Sequence, residues 1–323
     1  MTNSNRAGAL SEWGFFTLLI VLAGLAGLYL PFLATLATIC LPLPLILLVI
    51  RTDIRYGLAG LAAAGLILTV LSSEPVMTLV LIVSYGVLGI LYGLLFKNRM
   101  SSWKVFVTGI IGSVVLALMS AAVIYLVNGE NIFVLNEEAR QAALQWLAAN
   151  QGSMTLNDLP AGWQEEFTNK ILDVLELLIP GQYIITTAAS AAVTYFLARV
   201  ALKRFDFPLP PAFELTRIYL PWYSVWGLIA GLGLTLAGDY FGMPLAAKIG
   251  KNILFILFYV YLTLGLSVGA YFFRKLKVAM LIKLTFLFLA ILYIPFSLLV
   301  FLLLGVVDTL VNLRRLPEAH KPE

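Results

Sequence analysis

The sequence predicts an all-α fold, a polytopic transmembrane helix bundle of about 8–10 membrane segments with an extracytoplasmic helical insertion. Hydrophobic residues make up 61% of the chain and charged residues 12%, whereas soluble domains contain about 45–50% apolar and about 25% charged residues. Apolar runs of about 18 residues recur along the chain, and each is long enough to cross a bilayer as a helix. One long polar interval, Asn128–Leu178, separates two membrane halves.

The charges between the apolar runs predict how the chain is oriented. Asn128–Leu178 carries eight acidic and two basic side chains. Basic intervals are retained on the cytoplasmic side of a membrane. We therefore expect a cytoplasmic amino terminus, with residues 130–178 on the outer side. Thirteen of the 21 Lys and Arg residues fall in the four intervals that this orientation places inside: Arg51, Arg55, Lys97, Arg99, Lys104, Arg199, Lys203, Arg204, Arg217, Arg274, Lys275, Lys277 and Lys283.

The amino-terminal membrane half is expected to occupy residues 1–127 and to contain five helices. Pro42 and Pro44 lie inside the second helix, where proline removes a backbone hydrogen bond and produces a kink. A packing kink is the simpler interpretation, and a substrate gate is the alternative. The expected segments are about Trp13–Leu30, Phe32–Ile50, Tyr56–Leu71, Val76–Phe96 and Trp103–Val127.

Residues 128–178 are expected to form a pair of amphipathic helices outside the membrane. Asn136 is placed to cap the first helix, and acidic residues follow in its first turn, where the helix dipole favours them. The second helix is expected at about Trp163–Leu178 and should end at Pro180. Each helix has an apolar face at helical spacing, from which we expect the large aromatic residues to be buried against protein. These residues are Trp146, Trp163 and Phe167.

The carboxyl-terminal membrane half is expected to occupy residues 179–313, followed by a polar tail at 314–323. Three segments are expected at about Tyr183–Leu202, Ile218–Ala237 and Ile253–Phe273, with residues 239–251 as an outer loop. The last apolar run, Leu284–Leu313, would be about 45 Å long as one helix, which exceeds the bilayer core of about 30 Å. A bent hairpin at Pro295 would keep the basic tail cytoplasmic, whereas a single crossing would place that tail outside.

The sequence offers little that would support catalysis or cofactor binding. A single histidine, His320, and a single cysteine, Cys40, exclude a disulfide within the chain and a histidine or cysteine metal site. There is no nucleotide-binding motif. We therefore expect no enzymatic activity, no cofactor, no metal and no nucleic-acid partner.

Two groups of residues remain as candidates for function. Trp146, Trp163, Phe167 and Tyr183 are candidate contacts for a ligand or partner, although aromatic residues near membrane boundaries more often form an interfacial belt. Asp308, Asn312 and Arg314 form the second group, because an acid inside an apolar run is tolerated when it is paired or functional. A structural tie at the last helix is the simpler interpretation of Asp308, and charge coupling is the alternative.

Several short motifs, taken in order, resemble those of the YybS-like family of bacterial polytopic membrane proteins, whose function is not established. They are Leu41–Leu45 ahead of the basic turn, the outer helical insertion, Phe213–Trp222, and Gly305–Arg314. That family is remotely similar to the S components of energy-coupling-factor transporters. The resemblance implies a helix bundle in the bacterial plasma membrane that binds a small molecule from outside and docks on an energising module. The extra helices and the outer insertion depart from this pattern.

Two functions of different classes follow from these observations. The first is a substrate-binding or uptake subunit for a small molecule, with the outer helices over an outward cavity. The second is a non-transporting membrane scaffold or assembly factor that binds an envelope or protein partner through its outer helices or through small-residue helix faces. A polar-lined cavity would favour the first function, and an exposed apolar face on the outer helices would favour the second. The lipid bilayer is a partner in both.

Overall fold

The computed structural model describes residues 3–149, 161–275 and 280–316, in which the regular structure is helical throughout. Eight helical segments are long and apolar enough to cross a membrane, which confirms the predicted all-α, polytopic class. The helices are α1 (Asn3–Tyr29), α2 (Ala34–Cys40), α3 (Pro42–Arg51), α4 (Ile54–Leu71), α5 (Pro75–Lys97), α6 (Ser102–Asn128), α7 (Glu137–Ala149), α8 (Ala161–Arg204), α9 (Val225–Tyr240), α10 (Pro244–Lys275), α11 (Met280–Leu292) and α12 (Ile294–Val311).

The contacts divide the chain into two compact units. Unit 1 comprises Met1–Val134 and Ile184–Ala212, and unit 2 comprises Leu135–Tyr183 and Phe213–Glu323. The boundary therefore falls inside α8. The outer helix pair belongs to the same unit as the carboxyl-terminal helices.

The core of unit 1 lies among α1, α3, α4 and α5. Ile20, Leu45, Val49 and Leu68 are fully buried there, one from each of α1 and α4 and two from α3. Helices α2 and α3 together replace the predicted second segment. They meet at Leu41, which keeps helical dihedral angles immediately before Pro42. The helical assignment is interrupted at Leu41, and α3 begins at Pro42.

One end of unit 1 collects basic side chains, and we call it the basic end. Lys97 Nζ donates to the carbonyl oxygens of Val49 and Thr52 at 3.1 and 2.8 Å. Arg199 donates to Ser102 Oγ at 2.6 Å. These contacts bring together the ends of α3, α5 and α8 and the start of α6. The basic end carries Arg51, Arg55, Lys97, Arg99, Lys104, Arg199, Lys203 and Arg204.

Helix α8 corrects the prediction that the second outer helix ends at Pro180. It continues through Pro180 and is 44 residues long. The side-chain amide of Asn252 explains how the helix continues past proline. Its Oδ1 accepts from the Gly181 N–H at 2.6 Å, and its Nδ2 donates to the Leu177 carbonyl at 2.8 Å. The Asn252 amide thus takes the place of the backbone hydrogen bonds that are interrupted at Pro180. It bonds to backbone N–H and C=O groups that would have no water to bond to in a bilayer.

Helices α9 and α10 correct two further predictions in unit 2. The segment expected at Ile218–Ala237 begins as extended chain and a short 3₁₀ turn, so that α9 has 16 residues and begins only at Val225. Residues 239–251, predicted as an outer loop, belong mostly to α9 and α10. The turn between these helices is short because Gly242 adopts a positive φ of 65° and because Gly238 lies against the backbone of Ala247.

The last apolar run forms two helices, α11 and α12, and α12 packs against α10. Gly265 of α10 and Phe301 of α12 pack closely. Beyond that point, Ser267 and Tyr271 of α10 both bond to Arg314, which follows α12. The segment that follows α12 therefore lies beside the last part of α10.

Candidate functional site

A cavity of about 120 Å³ lies in unit 1 between α1, α2 and α5, and we call it the unit-1 cavity. None of the described residues that line it is charged. It lies where α1 ends and α5 begins, so it is at the opposite end of unit 1 from the basic end. Its walls are formed by Gly24, Gly27, Leu28, Ala34, Ala37, Thr38, Leu41, Thr78, Leu81, Ile82 and Tyr85.

Three hydroxyl groups interrupt the apolar wall of the unit-1 cavity. The Thr78 hydroxyl pairs with that of Ser72 at 2.5 Å. Thr38 Oγ1 donates its proton to the Thr35 carbonyl at 2.8 Å, and its hydroxyl interacts with that of Tyr85. Tyr85 and Thr38 thus form one polar position in an otherwise apolar wall.

Asp308 and Arg314 form a second organised site, in unit 2. Their side chains are 2% and 0% exposed, and Arg314 Nη2 lies 2.7 Å from Asp308 Oδ2. Arg314 Nη1 also donates to the Thr216 carbonyl and to Ser267 Oγ, each at 2.8 Å, and Nη2 donates to the Ile218 carbonyl at 2.6 Å. The guanidinium group uses all its donors in this way, so the pair fastens the end of α12 to α10 and to the 215–218 segment.

Asn312 is not part of the Asp308–Arg314 pair, although the three residues were considered together from the sequence. It adopts a left-handed conformation, with φ of 49°, and ends α12. Its Oδ1 accepts from the Leu316 N–H, and its Nδ2 donates to the Leu316 carbonyl. Asn312 therefore holds the turn that brings Arg314 back to Asp308.

The expected burial of the outer aromatic residues is wrong for two of them. Trp146 is 61% exposed and Phe167 is 44% exposed. In the part of α8 before Pro180, Leu172 is fully buried, whereas Val174 and Leu175 are exposed. The face of α8 that packs is thus rotated from the predicted one, because Thr168 and Leu172 face inward. Asn136 does cap α7, since its Oδ1 accepts from the Ala139 N–H at 2.8 Å. Tyr183 is half-buried. The Trp163 side chain lies outside the described residues.

The unit-1 cavity could not be predicted from the sequence. Thr38 and Tyr85 are far apart in the chain, and each falls within a run that is simply apolar. Asn252 was also missed, because one amide at the start of an apolar segment resembles an ordinary boundary residue. In the described ranges, no group of three His, Cys, Asp or Glu side chains is arranged to hold a metal ion.

Comparison with known proteins gives one match. The family model described as "Predicted membrane protein (DUF2232)" matches residues 17–309. No curated protein and no solved structure matches the chain. The match covers most of both units.

Proposed function

Because the chain belongs to the DUF2232 family of membrane proteins, we propose that it is a membrane subunit that binds a small molecule for uptake, with the unit-1 cavity as its binding site. The unit-1 cavity is mostly apolar, and none of the described residues that line it comes from the outer helices, in contrast to the polar-lined cavity expected from the sequence. The proposal therefore rests on the volume of the cavity and on its few hydroxyl groups. The sequence motifs resemble those of the YybS-like family, and the remote similarity of that family to energy-coupling-factor S components supports the same class of function. In this proposal the chain binds its ligand and catalyses no reaction.

The chemistry of the unit-1 cavity supports binding of a ligand. Small-molecule sites are mostly apolar, with a few polar groups that orient the ligand. Here the polar position formed by Tyr85 and Thr38 faces walls of Leu, Ile, Ala and Gly side chains. Gly24 and Gly27 let α1 approach the side chains of Leu68 and Ala37 closely, since a Cβ added at either glycine would lie within 3 Å of its neighbour.

The distribution of charge supports an outward orientation of the cavity. If the basic end faces the cytoplasm, as basic segments generally do, the amino terminus is cytoplasmic and the unit-1 cavity lies toward the outer side. That is the side from which an uptake subunit receives its ligand. Residues 130–178 are then also outside.

Mass spectrometry of small molecules that copurify with the protein tests this proposal. Ala37 lines the cavity and is 8% exposed, so Ala37→Leu should fill the cavity and remove the bound molecule. Ala62→Leu makes the same change on the exposed face of α4 and should retain it. Equal ligand content in the wild type and in Ala37→Leu, with both proteins monodisperse, would contradict the proposal.

A second experiment addresses uptake by means of an energising module. An S-component-like subunit should copurify with ATPase subunits when the two are expressed together. Loss of uptake of the identified ligand in cells that lack these subunits is the expected result. Undiminished uptake without them would exclude this mode of energising, although ligand binding would still be tested by the preceding experiment.

The exposed apolar side chains of the outer helices favour a second candidate function, that of a scaffold. Trp146, Phe167, Val174 and Leu175 are all exposed. Their neighbours Glu166 and Asp173 are exposed acids, with side chains 63% and 65% accessible. A protein partner with basic side chains around an apolar surface would complement this patch.

Site-specific photocrosslinking tests the scaffold function. A crosslinking amino acid at position 146 should give one discrete protein adduct in cells, because Trp146 belongs to the patch. The same amino acid at Gln141, on the opposite side of α7, should give none. Glu166→Lys should reduce the adduct if basic groups of the partner contribute. Adducts with lipid alone from position 146 would contradict this function.

A further inference from the structure

We propose that the unit-1 cavity selects a neutral, single-ring molecule that carries one hydroxyl or N–H group, of the phenol class. This inference rests on the proposed function and adds the chemical class of the ligand. It follows from three properties of the cavity, which are its size, its lack of charge and its single polar position.

The size of the unit-1 cavity limits the ligand. Its volume is about 120 Å³, and an engineered apolar protein cavity of about 150 Å³ binds benzene. The cavity is open on one side, so this volume sets the size of the part of the ligand that its walls surround, which is about one six-membered ring. Ala34 and Ala37 on α2 and Leu81 and Ile82 on α5 provide apolar surfaces for such a ring.

The absence of charge from the lining excludes an ionised ligand. An ion transferred from water to an apolar site without a partner loses far more solvation than the site returns. The described lining residues include no Lys, Arg, Asp or Glu, and the acids and bases of unit 1 lie at other positions. A carboxylate or an ammonium group would have no counter-charge in this cavity.

The hydroxyls determine how many polar groups the ligand carries. Thr78 is engaged with Ser72 at 2.5 Å, and Thr38 donates to the Thr35 carbonyl. The Tyr85 hydroxyl, which interacts with Thr38, remains able to bond one ligand group. Thr38 and Thr78 already take part in hydrogen bonds within the protein, so a second polar group on the ligand would compete with those bonds and weaken binding.

Binding of phenol, toluene and benzoate to the purified full-length protein tests this inference. Saturable binding is measured by titration calorimetry of the wild type and of Ala37→Leu. The heat measured with Ala37→Leu is subtracted, because it reports partition of the probe into detergent. Phenol should bind, toluene should bind about five- to tenfold more weakly because it lacks the hydrogen-bonding group, and benzoate should not bind. Tyr85→Phe should remove the preference for phenol over toluene, whereas Tyr125→Phe, outside the cavity, should preserve it.

The outcomes separate this inference from the proposed function. Binding of benzoate equal to that of phenol, or an unchanged preference in Tyr85→Phe, would overturn the ligand class while leaving the cavity as a binding site. Absence of binding by all three probes would also overturn the ligand class. In that case, the copurified molecule that Ala37→Leu removes would still support the proposed function, and its absence would contradict both.

Discussion

Arg314 approaches Asp308 from six residues further along the chain and bonds to its carboxylate through both Nε and Nη2, at 3.1 and 2.7 Å. The Arg314 backbone N–H donates to the other carboxylate oxygen at 3.3 Å. Both side chains are buried. Asp308 and Arg314 thus bond to each other within one short stretch of chain, and we call this pair the clasp. The other donors of Arg314 bond to α10 and to the 215–218 segment. This arrangement favours a structural tie over a coupling role for Asp308.

The first prediction concerns removal of the Asp308 charge. Asp308→Leu leaves the Arg314 guanidinium buried without its counter-charge, and breaking a buried pair typically costs about 3–5 kcal/mol. We expect a strong loss of folded yield and thermal stability in detergent. Asp308→Asn keeps an acceptor oxygen and should be less damaging.

The matched control for Asp308 is Asp239, whose ion pair with Lys251 at 3.0 Å is exposed. Exposed pairs contribute about 0–1 kcal/mol, so Asp239→Asn should be close to wild type. Normal stability of both Asp308 variants would show that the clasp does not hold α12. If both variants fold well and both lose uptake, the coupling role would be favoured instead.

The second prediction concerns the close packing of α10 against α12. A Cβ atom added at Gly265 would lie 1.7 Å from the carbonyl oxygen of Phe301, so that the helices would have to separate. Gly265→Ala should therefore lower the thermal midpoint, with a cost of about 1–3 kcal/mol expected for overpacking.

Gly233→Ala is the control for Gly265→Ala. Gly233 also lies in a helix, but a Cβ added there meets nothing within 4 Å. This change should leave stability unchanged or raise it by up to about 1 kcal/mol, since alanine favours the helix. Equal effects at the two glycines would mean that helix propensity, and not close approach, explains Gly265.

The third prediction distinguishes the packed and exposed faces of α8. Leu172 is 0% exposed and Leu175 is 53% exposed. Leu172→Ala should cost about 2–5 kcal/mol because it leaves a cavity, whereas Leu175→Ala should change stability by about 0.5 kcal/mol or less. Limited proteolysis and thermal unfolding measure both. Equal costs would indicate that a partner or the membrane covers the Leu175 face.

The fourth prediction concerns orientation and uses single cysteines in a Cys40→Ser background. Ser101, at the basic end of unit 1, should be protected from an impermeant thiol reagent added to intact cells, whereas Gln141 on α7 should be labelled. Arg315 should also be protected, because the segment that follows α12 lies beside the last part of α10. Labelling of Ser101 and Gln141 from the same side would contradict the orientation, and labelling of Arg315 from outside would contradict a cytoplasmic tail.

The sequence was sufficient to predict the class of the protein and many of its helices. Apolar runs must form helices in a bilayer because the backbone has no water to bond, and this reasoning located the helices of the first half closely. The Asn136 cap of α7 was also predictable, because capping depends on neighbouring residues. The prediction that a helix ends at Pro180 was wrong, because the side-chain amide of Asn252, which is distant in the sequence, bonds to the backbone groups that proline leaves unpaired.

The sequence by itself therefore determined the helical membrane class, the separation of acidic and basic intervals, and the need for Asp308 to have a partner. These properties depend on local composition and on the solvation of charges and backbone groups. Only the tertiary structure decided that this partner is Arg314, that α12 packs closely against α10, that Leu172 packs while Phe167 is exposed, and that Thr38 and Tyr85 line one cavity. Such features depend on which helix faces pack against each other. A helix that is apolar on nearly all sides has no amphipathic pattern, so its sequence does not show which face packs.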